Sequence, residues 1–203
     1  MQLLHIDSSV LGVDSVSRAL SAEIVARQAA LHPGLRVKHR DLAKDAAQHL
    51  SAAHLAAWRG AKAESPELDE DLAKGNTYIE ELFAADLIVI GAPMYNFSIP
   101  SQLKAWIDRV VIAGKTFRYG PNGPEGLLSP RKKVFIASSR GNVYHAGSPA
   151  AALEHHESYL TAVLSFIGLT DVTIVRAEGV AFGAQAKEAA MLRARENIAA
   201  LVA

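Results

Sequence analysis

Four hydroxyl side chains, Ser8, Ser9, Ser15 and Ser17, crowd the stretch DSSVLGVDSVS, which joins a short apolar run to a helical pattern beginning at Val16. Hydroxyls are hydrogen-bond donors, and the first amides of a helix have no acceptor within it. Helix dipole and free amides together favour an anion at that end. Ser9, Ser15 and Ser17, with the free amides of the helix start, are therefore candidate donors to a phosphate. One serine is what a helix cap requires; three around one turn exceed that need. The turn contains a single glycine, Gly12, and no lysine. It matches neither the GxxxxGK[ST] loop of triphosphate sites nor the GxGxxG loop of dinucleotide sites.

A terminal phosphate monoester held without magnesium fits what remains, and flavin mononucleotide (FMN) carries one. Two further stretches suit the rest of such a molecule. In GAPMYNFSIPSQLKAWID, Pro93 and Pro100 stiffen a loop that offers Met94, Tyr95 and Phe97 as apolar and aromatic surface. Asn96 adds a donor and an acceptor between them. In SSRGNVYHAG, the run Ser139, Arg140, Gly141 and Asn142 includes a glycine whose backbone can approach a ligand closely. Its amides suit the carbonyl and imide edge of an isoalloxazine.

These loops need a scaffold that brings them to one edge. Five apolar runs, at residues 3–6, 35–39, 87–90, 134–137 and 172–175, alternate with helical patterns. The last three are apolar at consecutive positions, as strands covered on both faces are. After the third run, Leu103, Trp106, Ile107, Val110 and Val111 recur at helical spacing before Gly114; Leu153, Leu160, Val163, Leu164 and Ile167 do the same before Gly168. The alanine-rich residues 184–201 form a last helix. This pattern predicts a single α/β domain over residues 1–203: a doubly wound, five-stranded parallel sheet of order 2-1-3-4-5 with helices on both faces. Ligands of such sheets sit at the carboxyl ends of the strands, where all three loops emerge. Residues 43–76 depart from the alternation; they read as a polar insertion, helical in parts and broken near Pro66.

Composition narrows the function further. Basic and acidic residues balance at 21 each, which argues against nucleic acid or an anionic membrane as a partner. The run Arg131-Lys132-Lys133 reads as a solvated strand entrance. There are no cysteines, so redox chemistry must come from a bound cofactor. No apolar run approaches a membrane span and Asp7 interrupts the first one, so a cytoplasmic location is expected. Histidines His49, His54, His155 and His156 lack the spacing of a two-ligand helix face, and no metal site is expected. No GxSxG nucleophile elbow is present.

At SSVLGVDSVSR, APMYNFSIPSQLKAWID, GKTFRYGPNGPEGLL and SSRGNVY, the chain resembles the FMN-dependent NADH-azoreductase and NADH:quinone oxidoreductase family, nearly end to end, which implies a flavodoxin-like fold. The resemblance implies phosphate contacts at Ser9, Ser15, Val16 and Ser17, and ring contacts at Met94, Tyr95, Asn96, Phe97, Ser139, Arg140, Gly141 and Asn142. Val16 stands where a glutamine is frequent and Asn142 where a second glycine is, so the former contributes only its backbone N–H. The resemblance also implies a homodimer with each flavin near the interface. It makes residues 117–127 a loop above the ring, with Phe117 and Tyr119 as candidates to sandwich a flat acceptor.

The implied reaction is ping-pong: NADH or NADPH reduces the flavin, and a quinone or aromatic azo acceptor then takes two electrons at the same face. The flavin carries the chemistry, so no catalytic acid or base is assigned; Asn96 and the backbone around Gly141 are expected to tune it. The alternative, a flavodoxin-type electron carrier with a protein redox partner, fits less well. Such carriers are usually strongly acidic, and this chain has zero net charge and extra segments that build a pocket.

Overall fold

The apolar runs form strands in a computed structural model that describes residues 1–202; residue 203, the last of the expected single domain, lies outside the described residues. In chain order the elements are β1 (Gln2–Asp7), α1 (Val16–Leu31), β2 (Arg36–Asp41), α2 (Ala52–Trp58), α3 (Pro66–Ala84), β3 (Leu87–Pro93), α4 (Ser101–Val110), β4 (Phe117–Gly120), β5 (Gly123–Gly126), β6 (Lys133–Arg140), α5 (Glu157–Phe166), β7 (Asp171–Glu178) and α6 (Ala184–Ala199). The main sheet has the order β2-β1-β3-β6-β7, and each neighbouring pair is parallel. With the β4–β5 hairpin set aside, this is the expected 2-1-3-4-5 order. The change of direction falls between β1 and β3, where crevices for ligands open.

Strand alternation separates the apolar side chains into two clusters. Leu4 and Ile6 of β1 join Tyr78 and Leu82 of α3, Leu103 and Trp106 of α4, and Leu160 and Leu164 of α5. Leu3 joins Leu20 and Ile24 of α1 and Ala190, Ala194 and Ile198 of α6. The strands run past the apolar residues into polar ones. β6 continues from Ala137 through Ser138, Ser139 and Arg140, paired with β3 and β7 along the way. That extension carries the polar residues of the third loop to the sheet edge.

Two expectations are corrected and one is borne out. The 43–76 insertion is helical in parts with its break just before Pro66, as expected: α2 ends at Trp58 and Pro66 opens α3, with Ser65 before it accepting from the Leu68 amide at 3.2 Å. Proline suits that first position because its missing N–H would have no acceptor there anyway. The expected open loop at 117–127 is largely an antiparallel hairpin, Phe117–Gly120 against Gly123–Gly126. Lys132 is not solvated; its buried ammonium donates to the carbonyls of Phe83 (2.7 Å) and Ala85 (2.5 Å), so that it tethers the end of α3 to the entrance of β6. Burial pushes its pKa down.

Helix α1 lies over β3 at Gly91, where a methyl group would stand 2.5 Å from Asp7 Oδ1 and 3.1 Å from Ser21 Oγ. Gly91→Ala is therefore expected to cost about 1–3 kcal/mol through overpacking, read as a lower urea midpoint at unchanged m-value; an unchanged midpoint contradicts this packing.

Candidate functional site

The turn from β1 into α1 is built by its hydroxyls. Ser8 Oγ donates to the Gly91 carbonyl at 2.7 Å, fixing the chain as it leaves the sheet. Ser15 is the cap of α1 and accepts from the Arg18 amide at 3.2 Å, while its Oγ lies 3.1 Å from Ser17 Oγ. Ser9, Ser15 and Ser17 are all buried. The helix start leaves the Val16 and Ser17 amides without intrahelical acceptors. Arg18, which sequence reasoning left unassigned, clasps the turn from behind. Its guanidinium donates to the Ser9 carbonyl at 2.8 and 3.1 Å and to the Asp41 carboxylate at 2.6 and 2.9 Å. The hydrogen bond from Arg18 holds Asp41 below the usual carboxylate range.

The second and third loops meet the first. Tyr95 and Ser98 exchange backbone bonds of 2.9 and 3.1 Å, closing a turn whose tip is Asn96 (φ 47°) and Phe97 (φ 72°). Positive φ at two successive non-glycine residues is strained, and such strain concentrates at functional loops. The turn's own hydrogen bonds leave the Asn96 and Phe97 amides unused. The Tyr95 hydroxyl lies 3.1 Å from Ser9 Oγ and accepts from the Val10 amide at 3.3 Å, joining loop two to loop one. The Met94 amide donates to the Ser139 carbonyl at 2.8 Å, joining loop two to loop three.

A cavity of about 200 Å³ opens between the loops, lined by Ser9, Ser15 and Val16, by Met94 and Tyr95, and by Ser139 and Gly141. Asn96 lines a neighbouring cleft of about 550 Å³ that shares Tyr95, a size typical of small-molecule sites. Ser17 lies beneath the turn, bonded to Ser15. Phe97 stands at the rim, edge-on to Tyr144 with ring centroids 6.4 Å apart. Asn142 is exposed, and its side chain accepts from the Val143 amide at 2.7 Å. Phe117 is buried against Phe166, ring centroids 4.6 Å apart, whereas Tyr119 on the hairpin is 76% exposed. Neither of the last two lines the cavities between the loops. Sequence reasoning missed Val180 and Lys187, which also line the 200 Å³ cavity. They come from the loop after β7 and from α6, and Lys187 supplies the cation that the first loop lacks; Asp14 is the carboxylate on the same wall.

Arg140 points elsewhere. Its buried guanidinium bonds Glu178 at 2.5 Å and lies 3.6 and 3.7 Å from Glu157 and Glu154. It thereby pins the end of β6 to β7 and to the start of α5. Burial alone would raise the Glu157 carboxyl, but hydrogen bonds from Arg176 and Ser138 hold it low. Beside them His156 is fully buried, neither ring nitrogen finds a partner, and burial pushes its pKa down to about 4.

This arrangement is matched by known proteins. Residues 1–202 match the flavodoxin-like fold family. The chain is 53% identical, over all of both chains, to an FMN-dependent NADH:quinone oxidoreductase of Methylorubrum extorquens. It is 54% identical over 200 residues to one of Pseudomonas aeruginosa, covering 98% of this chain and 97% of that one. The chain belongs to the FMN-dependent NADH:quinone oxidoreductase family, on a flavodoxin-like fold. Among solved structures, an FMN-dependent NADH-azoreductase of Bacillus anthracis in complex with FMN superposes with a TM-score of 0.85 at 25% identity, covering 98% of each chain. A further azoreductase of that species gives 0.86 at 28% identity over 98% of this chain and 97% of that one.

His156 gives the site a pH dependence with a definite sign. Its pKa is near 6.5 in the unfolded chain and about 4 when folded, so below pH 6.5 the unfolded state binds the extra proton and stability falls as pH falls. Between pH 6.5 and 4 the loss reaches about 3 kcal/mol, at about 1.4 kcal/mol per unit. Urea unfolding across that range is expected to show this slope, flattened in His156→Leu; an equal slope in the variant contradicts the assignment.

Proposed function

We propose that this chain binds FMN across the three loops and reduces quinones and aromatic azo compounds with NADH as donor. The single observation that carries the reading is the buried hydroxyl set at the start of α1, opening into a cavity with a lysine on its wall. The donors suit a phosphate: Ser9 and Ser15 offer hydroxyl protons they can redirect, Val16 and Ser17 offer amides, and the helix dipole points the right way. Ser17 supports Ser15 from beneath. Met94, Tyr95 and Phe97 provide apolar cover for a flat heterocycle, while Asn96 and the Ser139–Gly141 backbone provide polar contacts for its edges. When bound, FMN supplies the two-electron chemistry, accepting hydride from the nicotinamide and passing the electrons to the acceptor.

The chain's own task is to hold and shield. The strained Asn96–Phe97 turn is locked from outside, since the Phe97 carbonyl accepts from the His155 amide at 3.1 Å and Ser98 Oγ donates to the His155 carbonyl at 3.1 Å. Exposed Val10, Leu11, Val13 and Phe97 rim the site. A second copy of the chain covering that apolar rim completes it, and in such a homodimer Tyr119 on the projecting hairpin is available to an acceptor. Donor and acceptor then use one face in turn.

Two outcomes test this reading. The purified protein is expected to show flavin absorption that bleaches on anaerobic addition of NADH, with parallel double-reciprocal lines when donor and quinone are varied; intersecting lines contradict a shared face. Changing both Ser15 and Ser17 to alanine removes the Ser15 charge-assisted hydrogen bond, worth about 1.5–3 kcal/mol, together with the hydroxyl that supports it. FMN affinity is expected to fall at least about 10-fold; unchanged affinity contradicts the phosphate assignment.

A further inference from the structure

Three side chains that ligate metals converge where β1 meets β2, outside the loops described above. His5 and Asp7 are two residues apart on β1, so they leave the same face of the sheet. His39 is paired directly with His5 across the parallel ladder. Both imidazoles direct Nε2 toward one oxygen, Asp7 Oδ2, at 3.4 Å from His5 and 3.0 Å from His39. The three donor atoms lie within 4.8 Å of one another, and the ring centroids are 4.6 Å apart. Ligands 2.0–2.1 Å from a tetrahedral ion stand about 3.3 Å apart, and the two distances to Asp7 bracket that value. His39, with a side chain 49% exposed, has the freedom to turn and close the third edge.

The surroundings support a cation. Ser21 Oγ donates to the other carboxylate oxygen, Asp7 Oδ1, at 2.8 Å, and lies 3.0 Å from His5 Nε2. A second layer of hydrogen bonds of this kind orients a ligating carboxylate. Gly91 leaves the room that this arrangement needs. One competing charge is near: Arg18 Nη1 lies 3.6 Å from Asp7 Oδ2. Its guanidinium is already neutralised by Asp41 and spent on the Ser9 carbonyl, which leaves the Asp7 charge for an ion. Asp7 lines a cleft of about 500 Å³ with Arg18, Asp41 and Lys44, which gives solvent a way in.

We propose that His5, Asp7 and His39 bind a divalent transition cation of the zinc class, with water as fourth ligand. Imidazole and carboxylate donors suit such ions, and the set ties the first two strands together beneath the β1–α1 turn. The site takes no part in the redox reaction. It escaped sequence reasoning because its spacing is that of neighbouring strands, not of one helix face.

The test uses the full-length, tag-free, flavin-loaded protein. Zinc chloride is titrated against a chromophoric chelator, and thermal unfolding is followed with and without zinc. One saturable equivalent is expected, with a rise in Tm by mass action. Loss of an outer hydrogen bond weakens metal sites about 10–100-fold, which is the effect expected of Ser21→Ala; removing a ligand in His39→Gln is expected to cost at least about 100-fold. His39 is half-exposed, so this variant keeps its flavin absorption, which reports that it is folded. Absence of a saturable equivalent, or equal zinc affinity and Tm shift in folded His39→Gln, overturns the proposal.

Discussion

Helix α1 can begin where it does only because β3 carries a glycine at position 91. A side chain there would strike Asp7 and Ser21, and α1 would be lifted from the sheet. With Gly91 in place, Ser21 donates to Asp7 and Ser8 donates to the Gly91 carbonyl. The amino end of the helix is therefore anchored at the edge of the sheet next to the change in strand order. The hydroxyls of Ser9 and Ser15 and the free amides of the first turn then border one cavity, and the helix dipole adds to the field there. Loops two and three are positioned relative to this turn, through Tyr95 on Ser9 and through the Met94 amide on Ser139.

Charged residues near the site mostly position other groups. Arg18 holds the Ser9 carbonyl from behind the turn, and Arg140 holds three carboxylates beneath loop three. Both guanidiniums are committed to protein partners, so hydroxyls, amides and Lys187 are the groups left to meet a ligand. A hydroxyl-rich cradle of this kind, with Lys187 on its wall, suits a phosphate without magnesium and without the lysine of a triphosphate loop. Cofactor-borne redox chemistry is consistent with a chain that has no cysteine and no assigned acid or base.

Much of this was legible in the sequence because the relevant signals are local. Hydroxyls before a helical pattern mark a helix start, and consecutive β-branched residues mark buried strands. Strand order followed from the alternation and the handedness rule. What escaped depended on contacts distant in sequence or on geometry without a local sign. Lys187 and Val180 reach the cavity from the end of the chain. Lys132 looks like surface charge until the carbonyls ending α3 are placed beside it. The 117–126 hairpin is rich in glycine and proline and short of apolar alternation, so it reads as loop. Arg140 lies in the right loop but faces carboxylates that other strands and helices bring to it.

Family membership and the geometry of the β1–α1 turn meet in one claim: the turn grips the phosphate of the cofactor. The most direct measurement compares FMN with riboflavin, which has the same ring and ribityl chain but no phosphate, by titrating each into flavin-free protein and following fluorescence quenching. The account predicts FMN tighter by at least about 100-fold, the equivalent of roughly 3 kcal/mol or more. Equal affinities for the two would contradict it.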